Sequence, residues 1–561
     1  MPSTTIKKWC DKVFWKSLSS PFFDDYPYTA LLIKNVRLPD SDPEATWNVV
    51  CDNGVVSAVE QLESSVLASS PRGCNEIDAR GGIMIPSLCH SHIHLDKCFI
   101  LDRCGDLQMG DFAEAMHLTG IAKAAFPTEK ASLLERGRKL IRNSLACGVT
   151  AIRAHVEVDE LAKFSALDVA VQLQQEFKDT CHVQIAVFAQ EALFRNPTDA
   201  EPGPNWNFII RALEREPSIE VVGSAPYVEP SIEQAKKNIA MILELASRFS
   251  LHADFHLDYN LNPNSEPLVY EVISQAQKLP EYWLLVPETQ ALGPDREESD
   301  IPKLNLDPDP IHRRITIGHA TRLQLFTPSQ WKDLVQAIGD LPITFVGLPH
   351  SDMYMQGRDS ADTPLGAPRS TLRVPQLAKN YGLEVAMSVN NVQNAFTPQG
   401  SVDPLSLCSF GVAVFQAATK EDVEILMKSV TLTSKLAMGY PPSQLPRALH
   451  PRLGDPADFV ILHGTQTLRD AVFNPSYDRT TIKRGIVVSR RTSHTSFRYH
   501  DVIKEDQPNH WMSIWYHRLT LPWWWYAFLP VTWPYVVYRL LVLGRPETRQ
   551  KAGWVVEEEE E

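Results

Sequence analysis

The sequence predicts an α/β protein: a (β/α)8 TIM-type barrel, a small β-sandwich domain formed from both flanking segments, and an aromatic carboxy-terminal tail. Three observations carry this. The stretch Gly81–Lys97, GGIMIPSLCHSHIHLDK, runs an apolar strand into His90, His92 and His94. Seven further strand candidates follow, separated by helix-like sequence: Thr150–Val156, His182–Gln190, Ile219–Ala225, Leu251–Leu257, Arg314–His319, Ile343–Gly347 and Leu383–Val389. β-Meander textures at 29–60 and 457–490 bracket this alternation, the first with the turn signal Asp52-Asn53-Gly54. Eight βα repeats suit a closed parallel barrel with insertions. A doubly wound sheet is the alternative, but no Gly-rich phosphate turn follows the first strand.

Taken in order, residues 1–28 form an amino-terminal arm. Its sequence, MPSTTIKKWCDKVFWKSLSS at the start, has no apolar core of a secretory signal and reads as a disordered arm. Segments 29–80 and 446–495 build the small β domain, and 81–445 the barrel. Within the barrel, Ala131–Cys147 carries leucines at 133, 134, 140 and 145 and stops before Gly148. Ser231–Arg248 has a similar apolar stripe, so both are read as amphipathic helices. The acidic, proline-rich stretch Glu288–Pro310 is a loop insertion.

Residues 496–561 are a Trp-rich extension. Leu519–Tyr538 contains no charged residue and is long enough to span a bilayer. Pro522, Pro530 and Pro534 would interrupt a helix there, and Trp and Tyr favour membrane interfaces. An interfacial or re-entrant membrane anchor within 511–543, a segment docked on the barrel or on a dimer partner, and a spanning helix all stay open.

Composition narrows the class. With 44 % hydrophobic and 22 % charged residues, the chain has the balance of a soluble globular protein. A formal net charge of −14 argues against a nucleic-acid partner, which needs clustered Lys and Arg. Nine scattered cysteines without a CxxC pair suggest reduced thiols and a cytoplasmic address. A small-molecule substrate and a homo-oligomer are the expected partners.

The chemistry should sit at the carboxy-terminal ends of the barrel strands. Alternation on an extended chain puts His90, His92 and His94 on one face, where two imidazoles spaced i, i+2 can reach one metal ion. Other strand ends place His155 and Glu157, Gln190, His256 and His319 where they could converge.

These segments resemble the amidohydrolase superfamily, and within it the cytosine deaminase-like branch. IPSLCHSHIHLDK resembles the family's first barrel strand, AHVEV its THVDV, VFAQEALF its FPQEGI and VVGSAPYVEP its VVGAIPH. FVGLPHSDMYMQGR follows the segment that ends in LQGR. The resemblance implies one divalent metal ion, zinc or iron, on His92, His94 and His256. It also implies Gln190 as the reader of the substrate amide, and His319 as the residue that positions the attacking water and shuttles its proton. His155 and Glu157 are expected to contact the substrate.

Two positions depart from the family. Its strand-eight aspartate falls on Asn390, which can offer a carbonyl oxygen but cannot act as a base. Its ring-protonating glutamate falls on Tyr259, whose usual pKa of about 10 suits proton transfer poorly. Asp258, Glu157 and Glu191 are candidate relays around this loss. The implied activity is metal-dependent hydrolysis of a non-peptide C–N bond of a small cyclic substrate. The alternative is a non-catalytic descendant that keeps the pocket for binding or scaffolding.

Overall fold

The computed structural model describes residues 30–62, 74–279, 285–286, 311–358 and 368–495. The expectations for the 1–28 arm, the loop 288–310 and the aromatic stretch 511–543 lie outside these residues. The chain divides into two units, Met1–Ser493 and His494–Glu561, and every element named below belongs to the first.

Its opening strands are β1 (Ala30–Val36), β2 (Trp47–Asp52), β3 (Val55–Gln61) and β4 (Asn75–Asp78), which form one sheet in the order β3-β2-β1-β4. β5 (Ile83–Pro86) pairs antiparallel with a strand from the far end of the chain, Phe459–Leu462. That strand pairs with Arg479–Lys483, which in turn pairs with Ile486–Arg491, completing a second four-stranded sheet. Leu31, Ile33, Val49 and Ile77 of the first sheet share a core with Met84, Phe459, Ile461 and Ile482 of the second. The alternating apolar residues of both chain ends thus bury each other's faces, as two packed sheets require. Of the apolar run before the histidines, Met84 packs into this sandwich, while Ile83 and Ile85 join the core of the barrel. The chain crosses into the barrel only at Leu88.

β6 (Leu88–His94) begins the barrel. It is followed by β7 (Val149–Glu157), β8 (His182–Ala189), β9 (Ile219–Ser224) and β10 (His252–Leu257). After the short pair β11 (Leu285–Val286) and β12 (Ile311–His312) come β13 (Ile315–His319), β14 (Ile343–Gly347) and β15 (Val385–Met387). The eight long strands run parallel in the order β15-β14-β13-β10-β9-β8-β7-β6. Every residue of β7 is buried, as expected for a parallel strand covered on both faces. Around the strands, Lys130–Ala146 and Ile232–Arg248 are the two helices the leucine spacing predicts. The Ser231 side chain accepts from the Gln234 N–H and caps the second.

The ring closes between its first and last strands just below the site. His94 N donates to Asn390 O at 2.8 Å, and Asn390 N donates to His92 O at 3.1 Å. Ser388 Oγ bridges both polar groups of the His92 peptide, at 3.1 Å from its N and 2.6 Å from its O. Closure therefore fixes the backbone of His92, His94 and Asn390 relative to one another.

Inside the barrel a buried ion pair and its hydrogen bonds tie four strands together, β7, β8, β10 and β13. Arg153 Nη1 meets Asp254 Oδ2 at 2.8 Å and Thr316 Oγ1 at 2.5 Å, Nε meets Gln184 Oε1 at 2.8 Å, and Nη2 reaches Ala437 O. Neither charged side chain is exposed. Removing one partner of such a pair leaves an uncompensated buried charge, at a cost of about 3–5 kcal/mol. Arg153→Met should accordingly lower stability by that order, read as a fall in the denaturant midpoint.

Candidate functional site

At the carboxy-terminal mouth of the barrel, His92, His94, His155, His256 and His319 come together. The His92 ring centroid lies 4.4 Å from His256, 4.2 Å from His155, 5.7 Å from His94 and 6.0 Å from His319. His94 and His256 are 5.1 Å apart. Gly318, beside this group, has to be glycine, because a Cβ there would sit 2.9 Å from His92 Cε1. Strand register brings the five imidazoles in from four different strands, β6, β7, β10 and β13.

His90 does not join them. Its Nε2 lies 3.3 Å from Ser144 Oγ, on the helix outside the barrel. The β6–β7 ladder shifts register between His90 and Ile93, and this irregularity breaks the strict alternation that would put all three histidines on one face.

The clustered imidazoles are buried and short of partners. Both ring nitrogens of His92, Nδ1 of His94 and His155 and Nε2 of His256 have no hydrogen bond, and His155 Nε2 and Asp254 Oδ1 have only each other, at 3.2 Å. So many unpaired buried atoms in one place ask for a common partner. Burial, reinforced by the neighbouring imidazoles, holds His92, His94 and His256 well below the usual histidine pKa. They are neutral at physiological pH, the form that binds metal. Ligand atoms of His92, His155, Asp254 and His256 all lie within 4.8 Å of one another. Imidazole nitrogen with carboxylate or carbonyl oxygen is a donor set suited to zinc or iron. Asp254 is kept ionised: burial alone would raise its pKa, but His155 and Arg153 bring it well below the usual range.

Asn390 faces the same cavity from the end of the ring. Its Nδ2 donates to Ser351 Oγ at 2.9 Å, which fixes the amide and leaves Oδ1 as a buried oxygen without a partner. His319 and Asn390 both have φ of +67° and Asp258 has +50°, so three strand ends around the site hold left-handed backbone.

His319 is positioned by a residue the sequence does not single out. Its Nδ1 lies 2.7 Å from Asp352 Oδ1, and Asp352 Oδ2 accepts from Thr371 Oγ1 at 2.7 Å. Because a carboxylate only accepts, Nδ1 carries the proton and Nε2 is left to work. Tyr259 stacks on the other side of the ring at 3.7 Å. Burial and the Asp352 charge push the Tyr259 phenol well above its usual pKa. A phenol so hard to ionise suits a cavity wall better than a proton shuttle.

The expected carboxylate relays are engaged elsewhere. Glu157 Oε1 pairs with Lys97 Nζ at 2.6 Å and Oε2 with Lys123 Nζ at 2.7 Å. Lys123 also holds Asp159 and Glu191, each at 2.7 Å. Burial would raise Glu157, but Lys123 and Lys97 bring it down to about 2. Asp258 accepts from the N–H groups of Leu268 and Val269, where it anchors the start of a helix. Its pKa is lifted by burial to about 6.

A partly open cavity lies above the histidines, with about 260 Å³ of space between atoms when the open solvent at its mouth is included. Phe112, Tyr227, Tyr259 and Phe396 form its walls, with Lys97, Gln190, His94, His256, His319, Asn390 and Asn391 as its polar surface. Sequence reasoning missed Lys97, Asp254 and Asp352. The first two stood in HIHLDK and ADFHLD, three and two residues from positions already marked. Asp352 sits in PHSDMYMQGR, where nothing in the local pattern ties it to His319.

No protein-family model matches the chain. It is 21 % identical over 477 residues to N-isopropylammelide isopropyl amidohydrolase of Pseudomonas sp. strain ADP, covering 82 % of this chain and 96 % of that protein. It is 22 % identical over 453 residues to pterin deaminase of Rhizobium rhizogenes, covering 81 % of this chain and 90 % of the relative. Among solved structures, 5-methylcytosine deaminase from Klebsiella pneumoniae superposes with a TM-score of 0.66 at 21 % identity, over 83 % of this chain and all of that one. N-isopropylammelide isopropylaminohydrolase from Burkholderia multivorans gives 0.60 at 20 % identity, over 82 % and 99 %. The solved structures share the fold, and the curated relatives, an amidohydrolase and a deaminase by name, are matched over nearly their whole length.

Proposed function

We propose that the protein is a metal-dependent hydrolase of a non-peptide C–N bond, of the deaminase or cyclic amidase type, acting on a small cyclic substrate. The observation that carries this is the set of buried, partnerless ring nitrogens on His92, His94 and His256. One divalent ion, zinc or iron, would satisfy them together, with Asn390 Oδ1 as an oxygen donor. Such an ion, when bound, lowers the pKa of water toward neutrality and polarises the scissile carbon's substituents. Both curated relatives carry this reaction type in their names, amidohydrolase and deaminase.

The chain's own groups divide the remaining work. His319 Nε2 takes the proton from the attacking water and returns it to the leaving nitrogen, with Asp352 holding the ring and stabilising its cationic form. Gln190 orients the substrate, and Phe112, Tyr227, Tyr259 and Phe396 sandwich a flat ring. His155 sits behind the ligand histidines, its Nε2 3.2 Å from Asp254, and tunes them in place of touching substrate. Asn390 cannot relay a proton, so the whole burden falls on the His319–Asp352 pair.

A metal-reconstituted protein screened against cyclic amides, aminopyrimidines and triazines tests this reading. Asn390→Asp separates it from a non-catalytic role, for which the named relatives give no support. In an enzyme adapted to a neutral ligand, the added charge weakens the ion as a Lewis acid, so kcat should fall while metal is held more tightly. A chain that is inert as wild type and gains turnover with Asn390→Asp would show the opposite.

A further inference from the structure

The helix Phe112–Ala124, which follows β6 and precedes Lys130–Ala146, brings one of the aromatic walls to the cavity. The Phe112 ring, in its first turn, lies 5.7 Å from Phe396, 5.9 Å from Tyr227 and 6.1 Å from Tyr259, centroid to centroid, the spacing of aromatic rings in contact. These rings belong to an apolar cluster with Ile100, Cys104 and Met355 that is separate from the core of the barrel. Little apolar area holds the helix in place, since its buried residues are Ala115, Thr119, Ala122 and Lys123. At its start, Glu114 accepts from the N–H groups of Gln108, Met109 and Gly110, which ties the approaching loop to the helix but not to the barrel.

The far end of the helix is held differently. Lys123 Nζ lies 2.7 Å from each of Glu157 Oε2, Asp159 Oδ2 and Glu191 Oε1, so all three of its N–H groups are spent. Among the described residues, these are the only side-chain hydrogen bonds or ion pairs that join the helix to the barrel strands or their ends. The acceptors are themselves fixed: Asp159 Oδ1 accepts from the N–H groups of Leu161 and Ala162, and Glu157 N donates to Asp96 Oδ2. Burial would strip the Lys123 ammonium of its proton, but the three carboxylates hold its pKa well above the ordinary lysine value. Lys123 stands about 16 Å along the helix axis from Phe112, at 1.5 Å per residue, and does not line the cavity. We infer that Lys123 is a positioning residue: it moors this helix to the ends of β7 and β8 and thereby holds Phe112 in the wall against which the substrate packs. Without the ammonium, buried carboxylates are left uncompensated and the mooring is lost as a unit. The kinetic consequence rests on the hydrolase reading above; the mooring does not.

Amide hydrogen exchange of the full chain, read peptide by peptide, compares the wild type with Lys123→Met and with Glu191→Gln, which weakens the most exposed of the three contacts. Exchange across residues 105–124 should rise about tenfold in Lys123→Met and less in Glu191→Gln, while Ile232–Arg248 and β10 keep their protection. On a substrate found by the screen, Lys123→Met should raise KM about tenfold and lower kcat by less than about threefold. Added to Phe112→Ala, it should cost little further in kcat/KM, because it acts through that ring. Unchanged exchange at 105–124, loosening spread evenly through the barrel, or an additive loss with Phe112→Ala overturns the inference. Should Lys123→Met fail to fold, the exchange of Glu191→Gln decides alone. Exchange needs no turnover: an inert chain whose helix loosens keeps the mooring and rejects the hydrolase reading, and an active chain whose helix does not loosen does the reverse.

Discussion

His319→Ala is expected to lower kcat by about 10²–10⁴, the range for one positioned acid or base. Asp352→Asn should approach that loss without removing the imidazole. The aspartate accepts the Nδ1 proton at 2.7 Å, and an amide in its place can donate instead, which favours the other tautomer and blocks Nε2 as an acceptor. KM should change far less than kcat in both variants, because neither group is assigned to holding the ring. The double variant should be little worse than His319→Ala alone, since the two act as a unit. Steady-state kinetics on whichever cyclic substrate the screen finds will check this. Additive losses would mean that Asp352 works through something other than His319.

The second large effect concerns the ligand set. His92→Ala removes the imidazole at the centre of the cluster and should reduce metal affinity by more than the roughly 10–100-fold that follows loss of a supporting outer group. Activity should fall with it to background. Because Gly318 and the neighbouring rings pack against His92, the variant also leaves a cavity. Circular dichroism and the denaturant midpoint are therefore needed beside metal analysis. Full metal content in a folded His92→Ala protein would rule this histidine out as a ligand.

Much of the barrel was legible in the sequence because parallel strands buried on both faces leave continuous apolar runs, and helices between them leave a leucine stripe. Ile343–Gly347 falls where its β-branched run predicts, the helix at Lys130–Ala146 is shifted by one residue at both ends, and that at Ile232–Arg248 starts one residue later than expected. The resemblance to family motifs named His92, His94, His256 and His319, and the fold draws these four together. Long-range pairing was not legible. No local pattern says that Asp352 will reach His319 or that Lys97 will turn toward Gln190. Nor does one say that both oxygens of Glu157 will be consumed by lysines from elsewhere. His90 shows the limit of periodicity itself, because one irregularity in a ladder turns a side chain to the other face.

Elemental analysis of the purified full-length chain is the most direct test of the central claim, that separate strands deliver their imidazoles to one ion. The account predicts about one zinc or iron per chain, lost in a folded His92→Ala variant. A wild-type protein that stays metal-free through reconstitution with zinc and with iron, while remaining folded, would contradict it.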